Sequence, residues 1–167
     1  MRILVFILSL CLLAVSLSGC GAAGGTAPLE TPALALSTIS GLFLNTDETL
    51  TFPSEPQIFR SRLVKINFTL LMDETGQSRN VKEIMLNLFP DVAYTGVIEK
   101  TEQSGDGFSW AGYLKDVEYS GLTMVFTSGV FMGHFASPLG VYEVSNVGDD
   151  LYRIIMIDQT KLPGGEG

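Results

Sequence analysis

The amino-acid sequence predicts a mostly β domain: a single antiparallel sheet built as a meander of hairpins, sandwich or barrel-like. Three observations carry that expectation. Val64, Ile66, Phe68 and Leu70 alternate with Lys65, Asn67 and Thr69, the period-two pattern of a half-buried strand. Ser128-Gly129 separates two β-rich runs, 122–127 and 130–135, by the two residues that a tight hairpin turn requires. Strand-like segments recur about every ten residues, most of them divided by Gly-containing turns, and no long 3.6-residue periodicity competes with them.

The chain opens with a different kind of segment. Met1-Arg2 supplies a positive charge, and residues 3–15 are apolar apart from Ser9. Leu17-Ser18-Gly19-Cys20 follows, with small residues directly before a cysteine. A charged start, a short apolar run and a small-residue cleavage site form a secretory leader, and the cysteine makes the site a bacterial lipobox. The apolar run is shorter than the roughly 20 residues a membrane span needs. Residues 1–19 are therefore expected to be a lipoprotein signal peptide, with Cys20 lipidated after cleavage. Several acyl chains on one cysteine anchor stably where a single chain does not. Residues 20–32 include GAAGGTAPLETP, whose Gly, Ala, Thr and Pro content reads as a flexible tether. Position 21 is Gly rather than Asp. The expected location is the cell envelope, lipid-anchored and extracytoplasmic, at the outer membrane if the host is Gram-negative.

The β domain is expected over 33–163. Residues 62–70 form its first clear strand, and 73–80 (DETGQSRN) a polar loop. Residues 84–89 read as a short buried strand stopped by Pro90-Asp91, and 92–100 as another, rich in Val, Ile, Tyr and Thr. Ser104-Gly105-Asp106-Gly107 turns the chain into 108–114, with Trp110 near the start of that strand. After the 128–129 hairpin, Ser137-Pro138-Leu139-Gly140 turns again. Residues 141–145 and 151–157 make a last hairpin. The one helix candidate is 79–83, and 164–167 is a tail.

Composition bounds the function. The chain carries 10 basic and 18 acidic residues, for a net charge of −8. It holds no basic run, which argues against nucleic acid as a partner. Of its two cysteines, Cys11 leaves with the leader and Cys20 carries lipid. The folded part is expected to have no disulfide, no thiolate metal site and no cysteine nucleophile. No H-E-x-x-H, G-x-S-x-G, P-loop or G-x-G-x-x-G motif occurs, so neither an enzyme nor a cofactor is expected. The single histidine, His134, lies in a strand away from any nucleophile-elbow serine and reads as a structural or exposed residue. Asp47-Glu48, Asp73-Glu74 and Asp149-Asp150 fall in turns without calcium-loop spacing. Aromatic residues such as Trp110, Phe131 and Tyr142 either fill the core, the favoured reading, or line a sugar platform.

One long stretch has a familiar order. It runs through Asn87-Leu88-Phe89-Pro90-Asp91-Val92, Tyr94-Thr95-Gly96-Val97 and Ser109-Trp110-Ala111-Gly112-Tyr113-Leu114. It continues through Val117 to Phe126, Gly129-Val130-Phe131-Met132-Gly133-His134-Phe135 and Gly140-Val141-Tyr142-Glu143-Val144, ending at Ile157-Asp158-Gln159-Thr160-Lys161-Leu162-Pro163. This order resembles the N-terminal propeptide of secreted zinc metallopeptidases of the reprolysin (adamalysin-like) type. In that family the segment precedes a catalytic domain, assists its folding and holds it latent. Here no zinc-binding histidine motif follows, and the domain has no cysteine to reach a zinc ion. The resemblance implies a fold and a docking habit, with restraint by steric contact or by a carboxylate such as Asp158. The expected function is a non-catalytic, membrane-anchored lipoprotein that docks on or restrains a protein partner, a secreted zinc metallopeptidase. Two alternatives stand beside it: an envelope or carbohydrate-binding surface module using Trp110, and the severed propeptide of a truncated metallopeptidase gene.

Overall fold

Nine strands pair into one antiparallel sheet that curls until it nearly closes as a barrel. The computed structural model describes residues 40–161; the lipobox, Cys20, the tether, the first residues of the expected domain and the tail lie outside them. The strands are β1 (Phe43–Asn45), β2 (Ile58–Ile66), β3 (Glu83–Phe89), β4 (Val92–Ser104), β5 (Gly107–Leu114), β6 (Gly121–Thr127), β7 (Val130–Ser137), β8 (Gly140–Gly148) and β9 (Leu151–Ile157). From β3 to β9 each strand pairs with the next, β9 then pairs with β2, and β2 with β1. The Leu42 N–H donates to the Met85 carbonyl at 2.9 Å, which carries the sheet from β1 back to β3.

Alternation explains why these residues curl into a barrel. Leu122 and Met124 on β6, Phe131 and Phe135 on β7, and Tyr142 and Val144 on β8 point inward and are buried. Thr123, Met132, His134, Glu143 and Ser145 face out between them. Burying each large apolar side chain contributes on the order of 1.5–3 kcal/mol, and a sheet with one apolar face gains most by wrapping that face around itself. Trp110, Tyr152 and Ile154 complete the filling, so the interior is packed side chains. The hairpin at Ser128-Gly129 is built as expected. Both residues have positive φ, 50° and 78°, which a two-residue turn of this twist demands.

The barrel has two unlike ends. At one lie the turns after β4, β6 and β8, together with the crossing from β2 to β3. The sequence predicts that β2 continues to Leu70, but the ladder stops at Ile66 and Phe68–Leu70 form a turn of 3-10 helix. The alternation is real, yet its last apolar members close the barrel end instead of extending its wall. The Phe68 ring sits 5.3 Å from Phe126 and 6.2 Å from Phe131, edge to face, and Leu71 is fully buried. The helix candidate at 79–83 is also corrected. Arg79 N–H donates to the Leu71 carbonyl, Lys82 accepts from Ile98 N–H, and β3 starts at Glu83. The backbone there is already committed to extended pairing.

Candidate functional site

At the opposite end, which no crossing segment among the described residues covers, lie the turns after β3, β5 and β7, the start of β2 and the end of β9. A cup of about 350 Å³ opens there between Arg60, Asp91, Tyr94, Leu139, Tyr142 and Met156. It shares Leu139 and Met156 with a neighbouring cleft of about 270 Å³ that adds Phe59, Pro138 and Ile157. Phe59 is 67% exposed and Leu139 78%. Exposed apolar groups crowded on one rim are a feature of docking surfaces.

The polar side of the cup is set by strand position. Arg60 lies on the inward face of β2, where its guanidinium reaches Asp91 in the turn after β3, with Nη1 2.9 Å from each carboxylate oxygen. The same guanidinium stacks over Phe89, 4.2 Å from the ring centre. The hydrogen bond from Arg60 holds the Asp91 carboxyl below its usual range. Tyr142 stands deeper. Burial, followed by a hydrogen bond with Tyr94, pushes its hydroxyl up to about 12, so it stays protonated and neutral in the cup.

Between the cup and the closed end runs the seam of the barrel. β1 occupies it for only three residues, pairing Phe43 with Ile66 and Asn45 with Val64. Asn87 on β3 clasps β1, accepting from Phe43 N–H at 3.0 Å and donating to the Phe43 carbonyl at 2.5 Å. A side chain at Gly41 would overlap that amide, which is why the approach to β1 passes through a glycine. Past Asn45 the ladder with β2 ends and the chain borders Ser61–Leu63 across a cleft, and Phe52 stacks under Arg153, its ring centre 4.1 Å from the guanidinium carbon. The rest of the seam is bridged by side chains. Arg62 Nη2 donates to the Asn87 carbonyl at 2.6 Å, and Arg60 reaches Asp91. Burial lowers the Arg62 guanidinium from its ordinary value. The Nε atoms of Arg60 and Arg62 are buried without a hydrogen-bond partner among the described residues.

The residues singled out from sequence fall apart in space. Trp110 is fully buried, and its Nε1 donates to Ser78 Oγ at 3.0 Å. It is a core residue beneath the closed end, with no ring face for a sugar, which corrects its candidacy as a surface contact. Asp158 lies past β9, accepts from Thr160 N–H and Oγ1, and borders the Phe59 cleft. The Thr160 hydroxyl holds its carboxyl below the usual range. His134 is on the outer wall opposite Glu143, with Nδ1 3.9 Å from Oε1, beside a shallow groove above Gly133. Among the described residues, no group of three His, Cys, Asp or Glu could hold a metal ion, and no helix is long and apolar enough to cross a membrane. Sequence reasoning missed Arg60, Arg62, Asn87 and Tyr94. Strand alternation gives the faces of β2, but nothing local tells that two arginines on its apolar face find partners across a seam.

Fold and rim together define the class: an antiparallel β barrel with a filled interior, whose open features are surface clefts and a seam. No family model matches the chain, and no curated protein or solved structure matches it.

Proposed function

We propose that this chain is a non-catalytic, lipid-anchored extracytoplasmic lipoprotein whose β barrel docks on a protein partner. One observation carries the reading. The interior is filled by rings such as Trp110, Phe131 and Phe135, while Phe59 and Leu139 stand exposed on one rim. A barrel without a lumen holds ligands on its outside, and large exposed apolar groups beside an arginine–carboxylate pair suit a protein surface better than a small solute. The lipobox at Leu17-Ser18-Gly19-Cys20 supports the location. The sequence resemblance supplies the partner class, a secreted zinc metallopeptidase that the barrel restrains by steric contact.

The test is co-purification. The full chain, isolated with its natural N-terminus, should carry lipid on Cys20 by mass spectrometry and retain a zinc peptidase whose activity falls when bound. A double substitution Phe59→Ser with Leu139→Ser should release that partner while the barrel stays folded. An unprocessed N-terminus in the soluble intracellular fraction, or no retained protein under mild detergent, rules the reading out.

A further inference from the structure

The seam is wider than an ordinary strand–strand contact, and β1 measures it. β1 pairs with β2 on one side, while the residue before it bonds β3 on the other. The two edges are thus separated by one whole strand, about 9–10 Å from β2 to β3. β1 fills this width only to Asn45. Beyond it, β2 continues through Leu63 to Ile58 with its ladder to β9 made on the far side only. β3 likewise continues to Phe89 with β4 on its far side. Between these facing edges, among the described residues, only Arg60 and Arg62 cross.

We propose that this half of the seam is the docking edge, accepting an extended acidic segment of a partner protein as an added strand in line with β1, antiparallel to β2 and parallel to β3. This rests on the reading of the chain as a docking module. Two facing edges give an incoming backbone hydrogen-bond partners on both sides, which a lone sheet edge does not. Charge complementarity selects the occupant. Arg60 and Arg62 project from the inner face of β2 into the slot, and each retains a buried Nε donor without a partner among the described residues. Glutamate or aspartate side chains on the inward face of the added strand satisfy those donors as charge-assisted bonds. Asp91 already pairs with Arg60 at the mouth of the slot, so it acts as a resident competitor.

The probe is a capped synthetic peptide alternating Glu and Val, with a Lys and Val peptide as its control. Both are added to the full chain in detergent micelles, with affinity read by calorimetry and position by hydrogen exchange. The acidic peptide should bind and protect the seam-facing amides of 58–63 and 86–89, those not already bonded to β9 or β4, and the basic peptide should do neither. Arg60→Gln with Arg62→Gln should weaken binding at least ~10-fold. Asp91→Asn, on the exposed rim, should strengthen it and keep the fold in any case. Equal affinity for both peptides, no binding at about 1 mM, or weaker binding to the Asp91→Asn chain overturns the proposal. So does protection, before any peptide is added, of those amides of 58–63 that point away from β9, which would mean that residues 46–50 or a second copy already fills the slot. A natural partner retained equally by the doubly substituted chain sinks the seam and leaves the docking reading standing. A peptide bound at the seam of a chain that retains no partner does the reverse.

Discussion

The two ends of this barrel are made from the same strands and solve opposite problems. At one end the crossing from β2 to β3 folds inward, and Phe68, Leu71 and the Trp110–Ser78 hydrogen bond close the core with local and distant contacts together. At the other, Leu139 and Phe59 are left in water around a cup of mixed polarity. Core contacts are thus concentrated at the closed end, and apolar surface is exposed at the open one, where little stability is expected to depend on it. A scaffold arranged so can vary its rim without endangering its core.

Substitutions at the two ends break or sharpen that contrast. Trp110→Ala should have the largest effect, about 3–5 kcal/mol of unfolding free energy in urea, because it leaves a cavity under the closed end and removes the hydrogen bond to Ser78. Phe68→Ala should follow at about 2–3 kcal/mol, since Phe68 is partly buried but packs against three rings. Leu139→Ala at the open rim should change stability by no more than about 0.5 kcal/mol. A drop comparable to that of Phe68→Ala would mean that the rim is part of the core, and the contrast would fail.

Titration sets two groups of the open cup against each other. Tyr142 holds its proton more tightly folded than unfolded, with its hydroxyl raised from 10.0 to about 12. The stability this provides is fully present below pH 10.0 and is lost as pH rises toward about 12. Tyr142→Phe should flatten that alkaline decline in pH-dependent melting. Asp91 has the opposite sign. Its carboxyl is depressed by Arg60, so its contribution is present above the unfolded value and disappears as pH falls through the lowered folded one. The smallest expected effect is local: on acidification, lower hydrogen-exchange protection factors at the turn after β3, a change absent in Asp91→Asn.

Much of the barrel is legible in the chain because hairpins are local. Ser128-Gly129 reads as a turn from composition alone, and its two positive φ angles are the conformation that residue pair allows. The alternation of Phe131, Phe135, Tyr142 and Val144 with polar neighbours gives the inward face of β7 and β8 in the same way. Closure is not legible. Asn87 meets Phe43, and Trp110 meets Ser78, across sequence separations of 44 and 32 residues that no window spans. The same limit hid the rim: Arg60 on an inward strand face looks like a patterning fault until Asp91 and Phe89 are beside it.

The pairing of β2 with β9 has a kinetic consequence. Hairpins from β3 through β9 can zip one after another, each closing a short loop. Arg62 and Ile154 must instead find each other after nearly the whole domain has been laid down between them. That encounter carries the largest loop-closure entropy in the barrel, whereas the three-residue β1 pairs with β2 across a connection of about a dozen residues. A refolding chain is therefore expected to form the meander before β2 attaches to β9.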